Sequence, residues 1–167
     1  RVSLAQPLER LLRVVRQPAF LVPFGRTAVD HRRAVAGADG RLDKLAEMTT
    51  QKGFTIAQFS DVHIGPTIKG PFLRSVVDVV NAMGADLVAV TGDLVDGSVA
   101  ELGGHTAVLA ELKARHGAWF VTGNHEYYSG AEEWVGFLRS RGIVVLQNER
   151  IAIGDRGPGG ASFDLAG

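Results

Sequence analysis

From Phe54 onward, short apolar runs alternate with amphipathic stretches, and the first three runs each end on a small residue followed at once by polar, ligand-competent side chains. FTIAQF (54–59) reads as a strand, as do DLVAVT (86–91), AWFVT (118–122) and the run 143–146. Between them, Pro71–Met83, Thr106–Arg115 and Ala131–Arg141 carry apolar residues at helical spacing, and Gly84, Gly117 and Gly142 stand where each helix should stop. Two more short strands, 151–153 and 162–165, flank the turn DRGPGGA. Strands that alternate with helices at this spacing build βαβ crossovers, so the expected class is α/β with a largely parallel sheet.

In an open parallel sheet, ligands bind beyond the carboxyl ends of the strands. That rule makes the strand exits informative. Ser60-Asp61-Val62-His63 follows the first strand, Gly92-Asp93-Leu94-Val95-Asp96 the second, and Gly123-Asn124-His125-Glu126 the third. Asp61 and Asp93 are 32 residues apart, and Asp93 and Asn124 are 31 apart. Three consecutive strands thus deliver Asp61, His63, Asp93, Asn124 and His125 to one rim. Gly92 and Gly123 immediately precede ligand-type residues, where a missing Cβ permits a sharp turn and close backbone approach to an ion or phosphate.

Oxygen and imidazole donors without any thiolate suit Mn, Fe, Zn or Mg. The chain has no cysteine, which also excludes disulfides and a cysteine nucleophile. A second Asp can bridge two cations. Two cations together clamp a phosphoryl group and activate water. His125 would then hydrogen-bond a phosphoryl oxygen or protonate the leaving oxygen.

The motifs Asp61-x-His63, Gly92-Asp93-x-x-Asp96 and Gly123-Asn124-His125-Glu126 resemble, in order and spacing, the first three motifs of the calcineurin-like metallophosphoesterases. Their flanks (SDVHIGPTIKGPF, VTGDLVDGSV and FVTGNHEYYSG) resemble the bacterial, membrane-associated branch. The resemblance implies a four-layer α/β/β/α sandwich of which this chain supplies the first part. It implies that Asp61 and His63 bind one metal, Asp93 bridges two, Asn124 binds the second and His125 is the catalytic histidine. Asp96 would orient a ligand from behind, or simply cap a turn. Tyr127, Tyr128 and Ser129 would line the substrate pocket, or close a loop as partly buried aromatics. Lys69 would meet a phosphate or stay solvated.

The family also has a downstream lone His and a Gly-His-x-His, whereas no histidine follows His125 here. His31, His105 and His116 do not stand in those places. The chain therefore reads as an N-terminal fragment, with residues 1–50 a basic amphipathic segment and linker and 51–167 a metallophosphoesterase domain incomplete at its C-terminus. The second sheet's face is expected to be uncovered. The implied activity is phosphodiesterase-type hydrolysis at a binuclear centre, with manganese favoured, and the fragment alone is expected to be inactive. The alternative is a truncated or degenerate non-catalytic domain with partial metal binding. A dinucleotide-binding domain fits less well, because no G-x-G-x-x-G follows the first strand.

Net charge is zero, yet residues 1–33 hold seven arginines against two carboxylates, a net of +5, and the remainder carries −5. Residues 4–15 read as an amphipathic helix. A weak helical pattern at Leu42, Leu45 and Met48 interrupts the linker. A basic arm favours a membrane surface and a lipid-linked phosphate, such as a UDP-2,3-diacylglucosamine type known in the superfamily. Localisation is expected to be membrane-associated, peripheral or through an anchor outside this chain, with cytoplasmic as the alternative. No nucleic-acid partner is expected of an acidic body without a basic stripe. Glycine, 21 of 167 residues, is well above the usual ~7%.

Overall fold

A computed structural model describes residues 30–32, 46–51, 54–154 and 162–167. In chain order the elements are β1 (Asp30–Arg32), β2 (Ala46–Gln51), β3 (Phe54–Phe59), α1 (Gly70–Ala82), β4 (Leu87–Val90) and α2 (Val99–Thr106). A 3-10 turn (Ala107–Glu111) leads to β5 (Ala118–Phe120), α3 (Asn124–Ser129), α4 (Ala131–Ser140), β6 (Val144–Val145), β7 (Arg150–Gly154) and β8 (Ser162–Ala166).

Six strands form one sheet in the order β1-β2-β3-β4-β5-β6. From β3 to β6 all pairings are parallel, with Ile56 opposite Leu87, Val88 opposite Ala118, and Trp119 opposite Val144. This is the expected crossover architecture. The antiparallel edge was not expected. Met48 sits in β2, which pairs with β3 in the register Ala46–Phe59 through Gln51–Phe54, and Asp30–Arg32 pairs with β2 in turn. The linker reading is corrected at these two segments. Strand pairing is decided by partners across the sheet, whereas the weak helical spacing through Met48 is a local signal. The proposed helix at residues 4–15 and the turn at 155–161 lie outside the described residues.

The second helix also falls elsewhere than the expected Thr106–Arg115. It begins after Ser98, whose N–H and hydroxyl both donate to the Glu101 carboxylate at 3.1 and 2.8 Å. That capping arrangement nucleates α2 across Gly103-Gly104, a pair whose low propensity hid the helix. Gly103 packs closely there, since a methyl group at its Cα would lie 3.2 Å from the Phe137 ring. The Thr106 hydroxyl bonds back to the Leu102 and Gly103 carbonyls at 3.2 Å each, and the chain tightens into the 3-10 turn.

The core has two parts, one on each face of the sheet. Val88, Val90 and Phe120 pack with Leu73 of α1, Leu102 of α2 and Trp134 of α4, so the helices cover one face. Leu87, Ala89 and Trp119 point to the other, where they meet Leu146, Ile153 of β7 and Leu165 of β8. All four residues of β4 are buried, as a strand covered on both sides requires. The second face of the six-stranded sheet is therefore partly covered. The antiparallel hairpin β7–β8 begins a second layer on it, with Phe163 edge-on to Phe54 at 5.1 Å. Among the described residues, no helix is long and apolar enough to cross a membrane.

Candidate metal centre

The three strand exits converge at the carboxyl edge of β3, β4 and β5. The first two are zipped together. Asp61 N–H donates to the Gly92 carbonyl and His63 N–H to the Asp93 carbonyl, both at 3.1 Å. Ile64 N–H reaches the Leu94 carbonyl, and Asp96 N–H the Ile64 carbonyl, both at 2.8 Å. Three polar residues at this rim have left-handed backbones, Asp61 at φ 56°, His63 at 51° and Asp93 at 50°. Each such residue stores on the order of 1–3 kcal/mol of strain, and such strain clusters at functional sites. Donor atoms of these same three residues lie within 4.8 Å of one another.

The third exit locks against the second through glycine. A methyl group on Gly92 (φ 85°) would sit 2.7 Å from Gly123 Cα, and one on Gly123 would sit 2.6 Å from Asp93 N. Gly92 makes the left-handed turn expected at a strand exit, and the two glycines make room for each other's loops. With Gly123 so close, His125 N–H donates to Asp93 Oδ1 at 3.0 Å.

Asp96 occupies the gap between the two histidines. Its Oδ1 lies 2.9 Å from His63 Nδ1 and 2.6 Å from His125 Nδ1. A carboxylate only accepts, so both Nδ1 atoms carry the protons and each ring keeps Nε2 outside this contact. The two imidazoles meet edge to face with centroids 4.3 Å apart. His63, Asp96 and His125 are each about one-third exposed, accessible to a substrate yet held in place. The Ser60 hydroxyl donates to the Asp61 carboxylate.

The remaining candidates fall around this cluster. Asn124 is exposed at the first position of α3. Tyr127 and Tyr128 are not partly buried loop-closers, being 68% and 79% exposed. Tyr127 Oη lies 3.4 Å from Thr122 Oγ1, and the Tyr128 ring lies 5.7 Å from that of His125. Lys69 is exposed just before α1. His116 packs on the Phe54 ring, and His105 lies in the last turn of α2 beside Gly70.

Sequence reasoning gave Glu126 no role, yet it ties the site together. It is fully buried. Its carboxylate accepts from Asp93 N–H at 2.9 Å, Leu94 N–H at 2.8 Å and Gly123 N–H at 2.7 Å. Burial pushes its pKa up, and the three backbone donors pull against that shift. The available signal was positional: a Glu three residues after Gly123 has the spacing of a capping box.

A parallel α/β sheet carrying an Asp/His/Asp donor cluster and a second histidine on its carboxyl edge is the architecture of a metal-dependent phosphoesterase. Residues 54–163 match the calcineurin-like phosphoesterase family, to which the chain belongs. It is 33% identical over 136 residues to the zebrafish "Transmembrane protein with metallophosphoesterase domain", a match covering 81% of this chain and 31% of that protein. It is 36% identical over 113 residues to an uncharacterized metallophosphoesterase of Helicobacter pylori, covering 68% of this chain and 29% of that one. For a third, from Aquifex aeolicus, identity is 37% over 111 residues, covering 66% and 41% respectively. The chain thus spans well under half the length of these relatives. Since they include animal as well as bacterial proteins, the resemblance is not confined to a bacterial branch.

Proposed function

We propose that the complete protein is a divalent-metal-dependent hydrolase of phosphoesters, of phosphodiesterase type and with a binuclear centre. The observation that carries this reading is the cluster of Asp61, His63 and Asp93 donor atoms within 4.8 Å at a strained rim. Hard oxygens plus one imidazole fit Mn, Fe, Zn or Mg, and we favour manganese. Asp61 and His63 would hold one cation, Asp93 would reach both, and Asn124 would serve the second. Cations bound there supply positive charge that polarises a phosphoryl oxygen and lowers the pKa of water.

The rest is done by this chain's own groups. Asp96 accepts Nδ1–H from both imidazoles and fixes their planes, leaving the His63 Nε2 lone pair as a ligand; as the imidazolium, His125 carries a second proton on Nε2. From there His125 hydrogen-bonds the phosphoryl group or protonates the departing oxygen. Glu126 and the Gly92–Gly123 contact keep the loops in register as charge builds.

The membrane expectation stands as part of this proposal. The arginine-rich residues 1–33 and the printed name of the zebrafish relative support work at a membrane surface, with a lipid-linked phosphate as substrate.

The test uses the full-length protein, stripped with chelator and reloaded with Mn²⁺, on bis(p-nitrophenyl) phosphate and a panel of nucleotide and lipid phosphates. Metal-dependent release is expected, with His125→Ala lowering kcat by roughly 10²–10⁴-fold. Loaded protein that leaves every substrate intact would remove the proposal and favour the non-catalytic alternative.

A further inference from the structure

Tyr128 has the largest fractional exposure among the exposed large hydrophobic side chains of the described residues, at 79%, and Tyr127 follows at 68%. Such rings are usually spent on contact, because an aromatic side chain carries a large apolar area. Both lie on α3, the same short helix as His125. His125 and Tyr128 are three residues apart and so share a helix face. Their rings meet at 69° with centroids 5.7 Å apart, an edge-to-face contact rather than a stack. At 79% exposure most of the Tyr128 side chain is open to solvent despite this contact. The His125 ring also meets that of His63, with centroids 4.3 Å apart, and His63 belongs to the Asp61/His63/Asp93 donor cluster. Ring contacts therefore run from the donor cluster through His125 to Tyr128.

We propose that Tyr128 is a specificity platform, and that the preferred phosphoesters carry a planar aromatic or heteroaromatic ring on the leaving group, which stacks on it. The inference rests on the phosphoester reading above. If the phosphoryl group sits at the donor cluster and His125 serves the departing oxygen, whatever that oxygen carries extends past His125 onto Tyr128. Tyr127 is turned toward Thr122, with their hydroxyls 3.4 Å apart.

The test is equilibrium binding to the metal-loaded full-length protein, measured by calorimetry, of two phosphates that differ by one flat ring: AMP and ribose 5-phosphate. Stacking of a base on an aromatic side chain is worth roughly 5–150-fold in affinity. AMP should bind at least about fivefold tighter than ribose 5-phosphate. Tyr128→Ala should erase the difference by weakening AMP alone, and Tyr128→Phe should restore it. Because the side chain is exposed, thermal melting should match the parent in both variants. Equal binding of the two probes, no AMP binding, or a preference that survives Tyr128→Ala overturns the proposal. So does a Tyr128→Ala variant that loses binding to phosphatidylglycerol vesicles while nucleotide preference is absent, which would assign the tyrosines to a lipid surface. Failure of the hydrolytic reading appears separately, as absence of turnover in a protein that still distinguishes the two probes.

Discussion

Replacing Glu126 by alanine tests whether one buried carboxylate holds the metal loops in place. The side chain is inaccessible to solvent and accepts three backbone N–H groups from two different loops. Its removal leaves those donors without an acceptor. A buried donor left unsatisfied costs about 1–3 kcal/mol. Leu94 is buried and bears the full cost, whereas Asp93 and Gly123 are part-exposed and can recruit water. Relief from burying a carboxylate offsets part of the loss. The net expectation is about 3 kcal/mol, near the lower end for breaking a buried charged network. For a chain of this size that is a fall in melting temperature of roughly 6–12 °C, since each kcal/mol is worth ~2–4 °C.

A second effect should accompany it. Asp93 N–H is one of the three donors, so the backbone at a proposed ligand relaxes and Mn²⁺ affinity should drop by roughly 10–100-fold. Glu126→Gln keeps the shape and one acceptor oxygen but turns an amide NH₂ toward N–H groups, so it should fall between parent and alanine. The assays are thermal circular dichroism without metal and Mn²⁺ titration by calorimetry. An alanine variant that melts with the parent and binds Mn²⁺ equally well would refute the reasoning, because the three hydrogen bonds would then be energetically idle.

Other consequences are open to measurement. Gly123→Ala, whose methyl would press on Asp93 N at 2.6 Å, should lose most Mn²⁺ binding while far-ultraviolet dichroism keeps its helical signal. Asp96→Ala should lower kcat more than it raises KM, because it removes the acceptor that orients both imidazoles, and nuclear magnetic resonance of His63 and His125 should show altered tautomers. Trp134→Phe removes the indole N–H donor of a fully buried side chain to the part-exposed Gly97 carbonyl at 2.9 Å, so denaturant unfolding should show a loss of about 1 kcal/mol. Arg74 holds the Glu111 carboxyl below its usual pKa. That contribution is present above the unfolded carboxylate pKa and disappears as pH falls through the folded one. The melting difference between the parent and Glu111→Gln should therefore shrink from neutral pH to about pH 3.

Local sequence was a good guide wherever the signal was periodic and the partner irrelevant. The parallel strands β3 to β6, helix α1 beginning at a Gly-Pro pair, helix α4, and the delivery of Asp61, His63, Asp93 and His125 to one rim all follow from apolar period and strand-exit chemistry. The strands β1 and β2 were illegible, because their pairing lies across the sheet and their own pattern is weak. Helix α2 was misplaced for the opposite reason: a strong cap at Ser98 and Glu101 overrides two poor helix formers.

What the sequence by itself determined is the inventory, meaning which donors leave which strands, in what order, with glycine before two of them. What only the tertiary structure decided is how those donors are held. One Asp96 oxygen serves two histidines that stand 62 residues apart in the chain. Glu126 gathers N–H groups from two loops, and Gly92 and Gly123 let those loops pass in contact with each other. Those facts concern distances between segments remote along the chain. Periodicity and composition report only what a residue does to its neighbours in sequence, so no reading of the chain alone contains them.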